Sequence, residues 1–278
     1  MKKGSFSNIL LVLMLIVGLS LLLYPSFSDY WNSIRQTQAI TDYADEVAVM
    51  DEDKYAEIWG SAHAYNQALL TRDNPYTLTE ELRLQYPEQL KISSAGVMGY
   101  ISIPCINVNL PLYHGTSDAV LQVAIGHLEW TSLPTGGEST HCVVSGHRGL
   151  PSARLFTDLD KVTVGDIFLL NILDETLTYQ VDQIKIVEPF DTSDLLITEG
   201  EDYVTLVTCT PYGINSHRML VRGTRIANIE EVKIKRVTAD AVQIEPLLVA
   251  PLLAAPILLA LLIMILLPKH NKNRRNDP

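Results

Sequence analysis

Two uninterrupted apolar runs, residues 9–24 and 246–267, constrain everything between them. The first follows Lys2 and Lys3 and is short for a membrane span, so a removable signal peptide is the competing reading. No small-x-small cleavage site follows Leu23, however. The chain continues Tyr24-Pro25-Ser26-Phe27 and then Asp29-Tyr30-Trp31, with aromatic residues of the kind that settle at a membrane interface. An uncleaved anchor is therefore expected. The second run carries no charge, tolerates Pro251 and Pro256 in its first half, and is followed by Lys269, Lys272, Arg274 and Arg275. Basic residues at both extremes put both termini in the cytoplasm, and everything from about Phe27 to Glu245 outside the cell.

The 278 residues, 47% of them hydrophobic, allow one sizeable domain plus extras. Net charge is −11, and because both ends are basic the centre is more acidic still, which argues against nucleic-acid binding. Three cysteines cannot all pair, and none has C-x-x-C spacing. Cys105 and Cys142 read as buried small apolar residues in strands, with a disulfide between them the lesser alternative. The seven histidines contain no H-E-x-x-H pair, and the carboxylates do not cluster around them, so neither a metal site nor a metal hydrolase is expected.

Residues 28–71 predict one or two helices. Tyr55, Ile58, Trp59, Ala62, Tyr65 and Leu69 recur on one face suited to packing against a domain, Ser28 or Asp29 is placed to cap the start, and Arg72-Asp73-Asn74-Pro75 ends the run. From 97 the pattern turns to short alternating strands. These are 97–112 with Pro104 and Pro111 at bends or edges, then 140–145, 166–171, 176–189 and 203–208, with a short helical connection over 118–127. Many short strands and few helices indicate a closed or nearly closed β-barrel.

The chemistry concentrates in two places. Thr205-Leu206-Val207-Thr208-Cys209 reads as a strand ending in a thiol, a Pro211-Tyr212-Gly213 turn follows, and a second strand carries Arg218. A thiol becomes a strong nucleophile when its thiolate is stabilised, and a fixed guanidinium also suits an oxyanion. Upstream, the strand Cys142-Val143-Val144-Ser145 opens into Gly146-His147-Arg148-Gly149, and a histidine at a strand end is well placed as general acid and base. His127, in Gly126-His127, is the nearest rival base. His217 is a poorer one, because alternation turns it away from whatever Arg218 faces.

The Thr-Leu-Val-Thr-Cys run, the Ser-Gly-His-Arg-Gly loop and the Asn-Ser-His-Arg-Met-Leu-Val-Arg-Gly strand together resemble the sortases, cysteine transpeptidases, and among them the class C, pilus-assembling branch. The resemblance implies a closed eight-stranded β-barrel, mainly β, with N-terminal helices and a transmembrane helix at each end. It implies cleavage of a Leu-Pro-x-Thr-Gly-like sorting signal between Thr and Gly through a thioester on Cys209, with His147 as acid and base, Arg218 as stabiliser and Thr208 helping to hold substrate. The implied partners are pilins or surface proteins with C-terminal sorting signals, the acceptor is a lysine of another pilin, and neither cofactor nor nucleic acid takes part. Asp73-Asn74-Pro75-Tyr76 resembles the lid of pilus sortases, with Asn74 inserted in the usual Asp-Pro-aromatic run, so that either Asp73 or Asn74 holds the acidic place. An ordinary helix-ending turn is the alternative.

The expected domains are residues 1–27 as cytoplasmic tip and anchor, 28–92 as helices with the lid-like turn, and 93–230 as the barrel. Residues 231–245 form a linker, 246–268 the second membrane helix and 269–278 a basic cytoplasmic tail, all in the membrane of a Gram-positive cell. Three other readings compete. A cell-wall-anchoring sortase would use a peptidoglycan amine as acceptor. A papain-like hydrolase has cysteine before histidine, the reverse of the order here. A catalytically silent barrel would serve only binding or assembly.

Overall fold

The protein is described by a computed structural model that covers residues 3–92, 96–228 and Leu258. Helix α1 runs from Lys3 to Ala48 with Pro25 inside it. Among the described residues it is the one helix long and apolar enough to cross a membrane, and its Leu10, Leu13, Met14, Ile16 and Leu21 are exposed. A bare apolar surface of this kind is compatible with a lipid anchor. The helix does not restart at Ser28 or Asp29, contrary to expectation. Asp29 instead accepts a hydrogen bond from the Arg154 amide at 2.8 Å. The expected second span, the linker and the basic tail lie outside the described residues, apart from Leu258.

Helix α2, Glu52–Leu70, begins where Asp51 accepts from the Lys54 amide at 2.8 Å, an N-cap supported by Glu52 and Asp53 in the first turn. Its buried residues Ala62, Tyr65 and Leu69, with Ile58 and Trp59 partly buried beside them, are the face that the spacing predicts, and they join the main hydrophobic core. Asn66 on the same face locks the helix in place. Its amide accepts from Leu133 N at 2.7 Å and donates to Leu133 O at 3.2 Å. Short helices α3, Glu80–Gln85, and α4, Asp118–Leu121, complete the helical part.

Eight strands follow: β1 Val97–Ile103, β2 Val108–His114, β3 Ile125–His127, β4 Thr140–Ser145, β5 Ile167–Ile172, β6 Glu175–Val187, β7 Asp202–Thr210 and β8 His217–Arg225. They close into a barrel in the order β1-β2-β3-β4-β7-β8-β6-β5. Alternation along each strand sends one set of side chains inward, where Met98, Ile101, Phe168, Tyr179, Leu206 and Val221 are fully buried.

The expected strand over 97–112 is two strands, because Pro104 starts a 3-10 turn, Pro104–Ile106, that ends in left-handed Asn107. Cys105 sits on that turn and is exposed, which corrects the expectation that it is a buried strand residue. No disulfide joins it to Cys142, which is buried in β4. The connection over 118–127 contains β3 as well as a helical turn.

Candidate active site

Strand β7 is paired on both sides, parallel to β4 and antiparallel to β8. Val204, Leu206 and Thr208 point into the barrel. Thr205, Val207 and Cys209 therefore point outward. Cys209 is half-buried at the outer end of this row.

The antiparallel register sets Arg218 of β8 directly opposite Cys209. Its guanidinium is steadied by its own hairpin, donating to Asn215 O at 3.2 Å and His217 O at 3.1 Å. On the other side, parallel pairing brings the C-terminal ends of β4 and β7 together. Ser145 is level with Val207, and the ladder continues one step further as Gly146 N donates to Val207 O at 3.0 Å. One residue on, His147 leaves β4 level with Cys209. The loop after β4 thus carries His147 towards the end of β7 at which Cys209 and Arg218 face each other.

The loop that carries His147 is held at several points. Phe156 N donates to His147 O at 3.1 Å. Gly149 has φ +76°, and a Cβ there would come within 2.9 Å of the Tyr212 ring, so the loop needs glycine to lie against the β7–β8 turn. Arg148 pairs with Asp160 and reaches Thr210 at 3.4 Å, with its guanidinium 5.9 Å from the Tyr212 ring centre. The Thr208 hydroxyl donates to Gly146 O at 2.8 Å, and Thr208 is buried. Its hydroxyl is therefore engaged in bracing the histidine loop from the barrel side. Strand alternation already contained this, since an outward Cys209 requires an inward Thr208.

The rival groups have other tasks. His127 is fully buried, stacked on Tyr86 and hydrogen-bonded through Nδ1 to Tyr86 Oη at 2.9 Å and through Nε2 to Ser132 O at 2.8 Å. Burial lowers its pKa to about 4 and so keeps it neutral. It cannot reach a substrate. His217 lies by Ser216 and Glu188 at the rim. Burial raises the pKa of Cys142, which disfavours its thiolate. Arg222 makes a bidentate pair with Asp182, at 3.1 and 2.6 Å, and lies over the Tyr203 ring, so its fork is already engaged.

Beyond Cys209, the outward face carries an apolar strip. Val143, Leu195 and Leu220 form a buried cluster against which Leu128, Trp130, Val187 and Val207 pack. The turn 73–76 lies at this strip. Tyr76 meets Trp130 edge-on at 5.6 Å, and Asn74 Oδ1 accepts from Tyr76 N at 3.0 Å, shaping the turn. Neither Asp73 nor Asn74 is brought to Arg218 by an ion pair or hydrogen bond among the described residues. The turn is held by a residue that sequence reading passed over. Arg72 donates to Leu69 O at 2.9 Å, Thr77 O at 3.1 Å and Trp130 O at 3.1 Å. The Trp130 carbonyl, 58 residues further on, leaves no periodic trace in a sequence.

Alongside the closed barrel and its outward cysteine, the Sortase domain family model matches residues 101–226. The chain belongs to the sortase family of cysteine transpeptidases, and its structural neighbours place it with class C. Sortase C1 from Streptococcus agalactiae is 58% identical, with 69% of this chain and 100% of that one covered at a TM-score of 0.67. Sortase C from Streptococcus pneumoniae, whose structure addresses pilin substrate specificity, is 47% identical over 70% of this chain and 100% of that one, TM-score 0.62. Sortase C from Clostridium perfringens, solved with the C-terminal cell wall sorting motif, is 42% identical over 69% and 100%, TM-score 0.61. The chain spans 63% and 50% of the length of the first two curated relatives that it matches, Sortase D of Bacillus subtilis and Sortase A of Streptococcus agalactiae.

Proposed function

We propose that this chain polymerises pilin subunits at the outer face of a membrane. The observation that carries the reading is the register that sets Arg218 of β8 opposite Cys209 of β7, beside the loop after β4 that holds His147 and at one end of an apolar strip. In the proposed reaction Cys209 Sγ attacks the threonine carbonyl of a Leu-Pro-x-Thr-Gly-like signal. The Thr–Gly C–N bond breaks as His147 gives a proton to the leaving glycine amine, and a thioester remains on Cys209. A lysine amine of another pilin then attacks the thioester while His147 takes its proton, the C–S bond breaks, and an isopeptide bond forms. Arg218 holds the thiolate or the oxyanion of each tetrahedral state. Thr208 serves by bracing the histidine loop.

The apolar strip suits the leucine and proline of the signal. The sorting-motif and pilin-specificity structures of the neighbours support the same substrate class. The turn 73–76 acts as a lid over the Trp130 end of this strip. Helix α1 anchors the enzyme, with both termini inside and the barrel outside.

The full chain incubated with a sorting-signal peptide is expected to gain the mass of the acyl fragment on Cys209, and to release it on addition of a lysine-bearing pilin peptide. Turnover only with a peptidoglycan-like amine would make the enzyme a cell-wall anchor. No adduct in wild type, Arg218→Lys and Cys142→Ala alike would leave a barrel used for binding alone.

A further inference from the structure

Helix α1 does not stop at its apolar run. Beyond it, Asp29, Asn32, Gln36 and Tyr43 recur at intervals of three, four and seven residues, which puts them on one face of the helix. All four bond to backbone atoms elsewhere in the chain. Tyr43 is buried, donates to Met98 O at 3.0 Å and accepts from Leu173 N at 2.7 Å, which fixes the far end of α1 to β1 and to the β5–β6 turn. Gln36 donates to Val123 O at 2.6 Å, in the connection before β3. The other two reach a different place. Asn32 Nδ2 donates to Ser152 O at 2.7 Å, and Asp29 Oδ1 accepts from Arg154 N at 2.8 Å. Both partners lie in the loop that leaves β4 with His147.

The neck of that loop is closed where Phe156 N donates to His147 O at 3.1 Å, with Gly149 N donating to Thr157 Oγ1 at 3.1 Å beside it. Phe156 is fully buried, so the core fixes this side of the loop. Only Leu155 separates Phe156 from Arg154, and its φ of +40° lies in the left-handed region, which a leucine keeps only when its surroundings impose it. The core holds one side of this strained residue, and α1, through Asp29, holds the other. Ala153, between the two residues that α1 bonds, is buried as well. If the α1 bonds were lost, relaxation of Leu155 would turn the peptide unit whose N–H is bonded to His147 O.

We propose that α1 is a positioning element of the active site, in which Asp29 and Asn32 fasten the loop so that the His147 imidazole is presented at the Cys209 end of β7. The inference rests on the transpeptidase reading above. Neither residue touches substrate, and both act through His147. Two hydrogen bonds at the rim of a large core contribute little to holding the domain together, whereas acid–base catalysis is sensitive to displacements of about 1 Å. The helix that carries the apolar run therefore continues without a break into the segment that sets the base.

The test is steady-state kinetics of the full-length chain on a sorting-signal peptide with a lysine-bearing acceptor. The double variant Asp29→Ala/Asn32→Ala should lower kcat about tenfold and leave KM within about twofold. Asp29→Asn alone keeps an acceptor oxygen for the Arg154 amide and should retain the kcat that Asp29→Ala loses. Gln36→Ala removes a bond of the same kind, from the same face, to a segment without a catalytic group, and should leave kcat unchanged. In a His147→Ala background the double variant should cost nothing more, because the group it positions is gone. Hydrogen exchange of the amides of residues 149–156 should accelerate in the double variant and not in Gln36→Ala. The proposal is overturned by a double variant whose kcat stays within about twofold of wild type, by an equal loss in Gln36→Ala, or by a further tenfold loss on top of His147→Ala. A wild-type chain that never acylates Cys209 would sink the transpeptidase reading instead. The exchange data, which need no turnover, would then still decide whether α1 holds the loop.

Discussion

The dipeptide Gly-His ends strand β3, at His127, and follows directly on strand β4, at His147, and the two places could hardly differ more in surroundings. Both glycines mark a close approach. A Cβ at Gly126 would lie 2.1 Å from Gly115 O, and one at Gly146 would lie 2.7 Å from the Phe156 ring. At the end of β3 the Tyr86 ring covers the imidazole and both nitrogens are bound. At the end of β4 the histidine leaves the ladder and remains partly exposed beside the thiol strand. The glycine thus reports tight packing of the backbone, and what covers the next residue decides between structure and chemistry. The two cysteines repeat the contrast, with Cys142 facing the core of β4 and Cys209 facing out at the end of β7.

The contrast is broken most directly at the reactive groups. Cys209→Ala should abolish acylation outright and Cys142→Ala should leave it near wild type, as read by mass spectrometry on folded protein. His147→Ala should cost about 10²- to 10⁴-fold in turnover with little change in melting temperature. An active Cys209→Ala enzyme would overturn the assignment.

Acid separates the two histidines next. The pKa of His127 is about 4 in the folded chain and about 6.5 unfolded, so the unfolded state binds the extra proton between these values. The stability it confers is fully present above pH 6.5 and is lost as pH falls through about 4, to the extent of about 3 kcal/mol. Burial shifts His114 and His141 in the same direction. In denaturant titrations the difference in unfolding free energy between wild type and His127→Gln should shrink across that window. A constant difference would mean that His127 stays neutral in both states.

Thr208→Val sharpens the comparison from behind the site. It removes one buried hydrogen bond to Gly146 O and should lower stability by about 1 kcal/mol, with turnover falling several-fold while Kd for peptide is unchanged. A rise in Kd with turnover intact would return Thr208 to the substrate. The smallest effect belongs to the lid. Tyr76→Ala should cost about 1 kcal/mol at most and raise the rate of Cys209 alkylation modestly, because it deletes the edge contact with Trp130. Asp73→Ala should change neither, and alkylation accelerated by Asp73→Ala alone would point to a charge contact with Arg218.

What could be read in the sequence follows from how local its cause is. Strand β4 was legible to the residue, since the short run Thr140 to Ser145 is ended by glycine. The helical face of α2 was equally plain. Strand β3 was missed because three residues are too few to show a period. Helix α1 was divided at Ser28 because a polar residue beside an apolar run resembles a cap, whereas the helix continues to Ala48. Proline told of a break at Pro104 without telling which way Cys105 would face. His147, Cys209 and Arg218 could be singled out as candidates because each sits beside strong turn residues. The Arg72 contact with Trp130 O and both bonds of His141, to Leu196 O and Thr205 Oγ1, escaped because these partners lie 55 or more residues away, set by tertiary packing alone.

The parallel pairing of β4 with β7 has a temporal consequence. Thr208 and Gly146 are 62 residues apart in the chain, with β5 and β6 between them, so the ladder that aligns His147 with Cys209 is among the long-range contacts that form slowly during folding. Until it closes, the thiol has no base beside it and reacts as an ordinary cysteine. The onset of acylation during refolding should coincide with closure of the barrel and should not precede it.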